Sequence, residues 1–163
     1  MEQALADPTT WDYIREFFLY IYTSINLWAV LVSAVAAMFI GALWYGSLFG
    51  KQWMKLMSLD KKKIAKQSMP MWASYLLMFV GSLLTALVLA LMLAGLPATT
   101  INQALVVTFL LWIGLVAPIT LSSVIWEGKS FKLFFLNNGY NLLSLFVTAI
   151  ILVSWIKTGA TPA

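Results

Sequence analysis

From Gln67 to Trp126 the chain runs for sixty residues without a charged side chain. A helix needs about 20 apolar residues to cross roughly 30 Å of hydrocarbon, so this run has room for two membrane spans. Composition agrees: 62% of the 163 residues are hydrophobic, 10% are charged, and the mean hydropathy is +0.90. Water-soluble domains of this size carry about a quarter of their residues as charges. Gly95-Leu96-Pro97 followed by Thr99-Thr100 is the one helix-stop and N-cap signal inside the run, and it places the turn between the two spans.

Reading outward adds two more. Asn26 to Tyr45 is uncharged and apolar over the spanning length, and Leu133 to Ile156 is another such segment, bounded by Lys132 and Lys157. The expectation is an all-α, polytopic membrane protein: a bundle of four transmembrane helices at about 26–45, 72–95, 101–126 and 133–156, forming one domain over 26–157. Ahead of it, residues 1–25 carry Glu2, Asp7 and Asp12 where a secretory signal would be positive, so this segment is expected to stay. Trp11 to Tyr22 mixes aromatics with Asp12, Arg15 and Glu16, a pattern that predicts an amphipathic helix lying in the interface. Residues 158–163 form a tail.

Lysine placement predicts orientation. Lys51, Lys55, Lys61, Lys62, Lys63 and Lys66 lie between the first two spans against Asp60 alone, and Lys129 and Lys132 lie between the last two. By the positive-inside rule, loops 46–71 and 127–132 are cytoplasmic and both termini are outside, in an inner cell membrane. The net charge of +4 therefore reads as orientation. Nucleic acid is not an expected partner, since no basic run sits in a soluble fold that could present it to a duplex.

At the basic end of the first span, Trp44, Tyr45 and Trp53 fit an aromatic belt, with Lys51 and Lys55 placed to snorkel to phosphate headgroups. Gly46 and Gly50 allow close approach of a backbone or headgroup. Neither Gly46 to Lys51 nor Gly128-Lys129-Ser130 has the spacing of a phosphate-binding loop. Small residues recur every four positions as Ala29, Ser33, Ala37 and Gly41 on the first span, and as Ser82, Ala86, Ala90 and Ala94 on the second. Lipid supplies no hydrophobic drive for helices to associate, so such faces predict a close antiparallel pair. They also suit assembly with a second copy or a larger membrane complex.

The fourth span stacks Asn137, Asn141, Ser144 and Thr148 on one face at steps of four, three and four. The third offers Gly114, Pro118 and Ser122 at steps of four, with Thr120 and Ser123 nearby. Asparagines in a span are costly unless paired, so Asn137, Asn138 and Asn141 are expected to meet protein or water. Pro118 frees a carbonyl near Gly114 that Ser122 or an Asn amide could satisfy. Two roles stay open for this face: glue between helices, or the wall of a polar cavity, with Asn137, Asn141, Ser144, Thr148 and Ser122 as its binding residues.

Chemistry is narrowed by what the chain lacks. It has no His and no Cys, so imidazole bases, thiolate nucleophiles and the usual zinc, haem and iron–sulfur ligands are missing. No catalytic residue, metal or cofactor is expected. Glu127 is expected in the turn Glu127-Gly-Lys-Ser130, where Gly128 ends one helix and Ser130 caps the next. An internal echo links Trp44-Tyr-Gly46 and Lys51-Gln-Trp-Met-Lys-Leu56 with Trp126-Glu-Gly128 and Lys129-Ser-Phe-Lys-Leu133. A two-plus-two repeat would produce such an echo, and so would two similar interfaces.

Three segments carry a family resemblance: Asn26-Leu-Trp-Ala-Val-Leu-Val32, Gly41-Ala-Leu-Trp-Tyr-Gly-Ser-Leu-Phe-Gly-Lys-Gln-Trp53 and Phe131-Lys-Leu-Phe-Phe-Leu-Asn-Asn-Gly-Tyr-Asn141. Over roughly Asn26 to Trp155 the chain resembles the small integral membrane family called domain of unknown function 1761. The resemblance implies a four-span protein without an established activity. It also implies histidine as a common residue where this chain has Asn141, so no histidine chemistry carries over. An accessory or structural membrane protein that self-associates is the leading functional expectation. A passive channel or transporter for a small neutral solute, using the polar face of the fourth span, is the alternative, followed by a lipid-modifying enzyme. The lysine asymmetry predicts that a reporter fused after Ala163 is active only if it is a kind that folds outside the cytoplasm. Cytoplasmic signal at both termini would reverse the orientation, and termini on opposite sides would change the number of spans.

Overall fold

The computed structural model describes residues 9–59, 69–96 and 98–155. Asp60, Lys61, Lys62, Lys63, Lys66, Pro97, Lys157 and the tail at 158–163, all invoked above, lie outside the described residues. Four helices are long and apolar enough to cross a membrane: Leu27–Leu48, Met71–Gly95, Ile101–Ile125 and Phe131–Ser154. A helix at Thr10–Ser24 precedes the first span and a short one at Gly50–Leu56 follows it. No strand occurs among the described residues.

The first, third and fourth spans and the N-terminal helix start where the sequence supplies side-chain acceptors for free N–H groups, whereas the second span starts after Pro70 without a side-chain cap. Asn26 Oδ1 accepts from the Trp28 and Ala29 amides, and Ser130 Oγ accepts from Leu133. Thr100 and Gln103 form a reciprocal capping box at the third span, and Thr9 and Asp12 form another at the N-terminal helix. The Thr9 hydroxyl, 2.7 Å from Asp12 Oδ2, holds that carboxyl below its ordinary 3.8, with the Thr9 amide and Arg15 adding to the effect. The cap is therefore in place above the ordinary carboxylate range and is lost as pH falls through the lowered value. Gly128 takes the left-handed conformation at φ +66°, which turns the chain between the third and fourth spans and brings the Lys129 amide to the Ser123 carbonyl.

Two of the spans contain a turn of π-helix, at Leu43–Leu48 and Trp112–Val116. The second has a plain cause. Pro118 has no N–H and its ring crowds the carbonyl of Gly114, so widening the preceding turn relieves the conflict. In the first, the Phe49 amide reaches back five residues to the Trp44 carbonyl at 2.8 Å. The same turn presses the Tyr45 carbonyl against Gly50, where a Cβ would lie 2.5 Å from that oxygen. Gly50 is the residue that permits the turn.

The first span packs against both the second and the fourth, and the third packs against the fourth. The second and third spans are consecutive, yet they touch little. Their order across the bundle is thus second, first, fourth, third, with the first and fourth as the central pair. A two-plus-two repeat would exchange first with third and second with fourth, making the first–fourth contact equivalent to the second–third contact. Those two contacts are unlike, so the packing lacks the symmetry of such a repeat.

At the end where Asn26 and the turn at Leu96–Thr100 gather, all four spans share one dry core. It joins Ala29 and Val30, Ala86, Leu89, Ala90 and Leu93, Ala104, and Ala149, Leu152 and Val153. Ala104 and Ala149 have no exposed surface. Small side chains let backbones approach, which is what helix association in lipid rests on. Ala29, Ser33 and Ala37 are buried on the first span, and Ala86 and Ala90 on the second. Gly41 departs from this pattern: its Cα faces the Tyr140 ring of the fourth span. Ser82 is half-buried. Leu84 and Val88 of the second span and Val106, Leu110 and Ile119 of the third are among the exposed, bulky side chains turned outward.

Ser33 Oγ is fully buried in the core without a hydrogen-bond partner among the described residues. Ser33→Ala should therefore raise the thermal unfolding midpoint in detergent, by the equivalent of about 1 kcal/mol. Ala86→Leu should lower stability by roughly 1–3 kcal/mol through overpacking. Leu84→Ala, on the outward face, serves as the near-neutral comparison in the same melts.

Candidate functional site

The central pair is held by two sequence segments that interlock. From the first span, Trp44 lies against Gly139 of the fourth, where an added Cβ would meet the indole ring at 3.3 Å, and its Nε1 donates to the Leu136 carbonyl at 3.2 Å. From the fourth span, Tyr140 lies against Gly41, where an added Cβ would meet the phenol oxygen at 3.2 Å. Tyr45 stands between them. Its ring is 5.1 Å from that of Tyr140 and 5.5 Å from that of Trp53, both edge-on, and its hydroxyl donates to Asn137 Oδ1 at 3.1 Å. The aromatic rings placed by sequence at headgroup level thus have partners in protein, while Lys51 and Lys55 on the short helix are exposed.

Asn138 ties the fourth span to the third. It is 2% exposed, and its Nδ2 donates to Thr120 Oγ1 at 2.9 Å and to the Phe134 carbonyl at 3.0 Å. The Thr120 hydroxyl in turn lies 2.9 Å from the Val116 carbonyl, at the end of the π turn. Ser122 is directed elsewhere: it is exposed and donates to the Ile119 carbonyl at 2.6 Å. Neither Ser122 nor an Asn amide reaches the carbonyl near Gly114 that was expected to need them, and Thr120 serves the Val116 carbonyl.

Because the second and third spans diverge from their connecting turn, a cleft of about 350 Å³ opens between them with the fourth span as its floor. Leu77, Met78, Gly81, Ser82 and Thr85 of the second span form one wall, Val116 of the third lies across from it, and Ala37 of the first closes the back. Tyr140, Asn141, Ser144 and Thr148 line the floor. Asn141 is ten residues into its helix, which puts it about 15 Å along a span of roughly 36 Å, near the middle of the hydrocarbon.

The lining is mostly apolar, is interrupted by the polar groups of Ser82, Thr85, Tyr140, Asn141, Ser144 and Thr148, and carries no charged side chain. Ser82 and Thr85 donate back to the Met78 and Gly81 carbonyls of their own helix, both at 2.9 Å. That leaves hydroxyl lone pairs as acceptors toward the cleft. The Asn141 amide makes no hydrogen bond to any described residue, whereas the neighbouring asparagines are engaged. The structure therefore brings Asn141, Ser144 and Thr148 to one surface, places Asn137 in the interlock with Tyr45, and leaves Ser122 outside. The sequence reading did not place Ser82, Thr85 and Tyr140 at the cleft. Ser82 had appeared only as a packing residue, and the signal available was the Ser82–Thr85 step of three on the second span.

If Asn138 is glue, its bond to Thr120 is measurable by difference. A double-mutant cycle of Asn138→Ala and Thr120→Val should give a coupling of about 0.6–1.7 kcal/mol in unfolding experiments. Asn141→Ala with Thr120→Val should give none.

Searches of curated proteins and of solved structures return no match. One family model does match, and it covers both interlocking segments and the whole cleft. Described as a protein of unknown function, DUF1761, it spans residues 28–153, and the chain belongs to that family.

Proposed function

We propose that this protein is a non-enzymatic integral membrane binding protein that holds a small uncharged polar ligand in the cleft between its second and third spans. The observation that carries the reading is the Asn141 amide, lying near mid-membrane and lining a cleft without a hydrogen-bond partner among the described residues. A polar group at that depth without a partner costs about 1–3 kcal/mol, so its place in the fold is accounted for by something that fills the cleft. With donors and acceptors but no charge, the lining suits a neutral ligand bearing hydroxyl, carbonyl or amide groups.

Binding fits the geometry better than conduction. Beyond Thr148 the bundle closes into the dry core around Ala149 and Leu152, so the cleft does not run from one face of the membrane to the other. Self-association has less support: of the stripes that motivated it, Ala29, Ser33, Ala37, Ala86 and Ala90 are buried within the chain and Gly41 meets Tyr140, which leaves Ser82 half-buried and Ala94 exposed.

The chain has no native cysteine, which makes accessibility testable by single substitution. In detergent, Asn141→Cys and Ser144→Cys, both half-buried at the cleft, should react with N-ethylmaleimide at least about tenfold faster than Ala149→Cys, since a thiol reacts only where reagent and water reach it. Asn141→Leu should leave the thermal midpoint unchanged or higher. Protection of both cleft positions in folded protein would remove the site, and a destabilised Asn141→Leu would return Asn141 to a packing role.

A further inference from the structure

Among the described residues the cleft is open between the second and third spans, and its surroundings say what faces it. Toward the Asn26 end, the shared core of all four spans closes it. Toward the basic end, the floor begins at Tyr140, which is gripped by Gly41 and Tyr45 of the first span. Behind it stand Ala37 and the central helix pair. What remains is the gap between the second and third spans. The second span presents Leu77 and Met78 there, each 57% exposed, and the third presents Val116. In a four-span protein of this composition, bulky apolar side chains exposed within the spans face acyl chains. Gly81 lies within this wall, and a side chain at its Cα would meet nothing within 4 Å. The opening is therefore wide at the depth of Asn141.

We infer that the cleft is a lateral site for an uncharged lipid, one whose polar end consists of hydroxyl and ester groups, as in a diacylglycerol, and which enters from the bilayer between the second and third spans. This rests on the binding reading above and adds the ligand's class and route. Depth and charge together make the selection. A phosphate-bearing lipid keeps its headgroup at the interface, and drawing it to mid-membrane into a site lined without a cation would leave its charge uncompensated. A hydroxyl or ester group can reach that depth, and there it meets the Asn141 amide together with the Ser82 and Thr85 oxygens, while its chains stay against Leu77, Met78 and Val116. The site selects by permitting only a polar group that carries no charge.

The full chain, reconstituted in phosphatidylcholine vesicles, tests this with two photoactivatable lipids that bear a diazirine near the ester: a diacylglycerol and a phosphatidylglycerol. At equal mole fraction, the diacylglycerol should crosslink to peptides containing 77–85 or 140–148 at least about fivefold more than the phosphatidylglycerol, and unlabelled diacylglycerol should compete. Gly81→Phe, which fills open space, should abolish this crosslinking without lowering the thermal midpoint. Asn141→Leu, which keeps the opening and removes the polar contact, should reduce it about fivefold. Equal crosslinking by the two lipids, or crosslinking that neither variant changes, overturns the inference. If positions 141 and 144 react with maleimide but the diacylglycerol does not crosslink, the cleft is a site for a water-borne ligand and only the lipid route fails. If neither occurs, both readings fail.

Discussion

The bundle depends on two glycines that each admit one ring from the other helix. Gly139 leaves the space that Trp44 occupies, and Gly41 leaves the space for Tyr140. Ring and glycine alternate between the first and fourth spans, so the two helices lock in register as well as in proximity. Hydrogen bonds from Trp44 Nε1 to the Leu136 carbonyl and from Tyr45 to Asn137 then fix the rings in rotation. In hydrocarbon, where apolar burial gives helices no reason to prefer each other over lipid, such steric and polar complementarity is what remains to choose a partner.

From that pairing the cleft follows. With the first and fourth spans at the centre, the second and third are assigned to opposite flanks, although a turn of only a few residues joins them. They can meet near the turn, where alanines 86, 90 and 104 make the core thin enough to close. Farther from it they diverge, and the floor of the gap is the face of the fourth span that neither covers. The π turn before Pro118 belongs to the same arrangement, because it carries Thr120 to Asn138 and so anchors the third span on the far side of the fourth.

Much of this was legible in the sequence, and what was not had a physical reason. Hydropathy and charge locate the spans because hydrocarbon thickness imposes a length on them, and the caps at Thr100 and Ser130 show in residue type alone. The small-residue steps indicated the buried sides of the first and second spans. They could not reveal that Gly41 turns to a different neighbour, since a glycine marks close approach without saying what approaches. Trp44 and Tyr45 read as interface anchors for a similar reason: their residue type and depth suit that role equally well, and only the tertiary pairing distinguishes it from packing. The polar face of the fourth span was visible as a period, but its opposite wall was not, because Ser82 and Thr85 sit on a helix whose neighbours the sequence does not specify. Ser122, placed by spacing, belongs to a span whose π turn shifts the register on which that spacing argument relied.

The asparagines of the fourth span show why a polar residue in a membrane helix has no single meaning. Asn137 accepts from a tyrosine of the neighbouring span, and Asn138 bridges to a threonine of another. Both are consumed by packing, and their unpaired cost is met inside the fold. Asn141 is one helical turn farther along, the same chemical group at similar depth, and it remains uncommitted among the described residues. Its polarity is then unnecessary to the bundle, which would be equally well or better served there by leucine. A group that the fold does not need, held near the middle of the membrane in a cleft that the fold leaves open, is better explained by what enters the cleft than by what surrounds it.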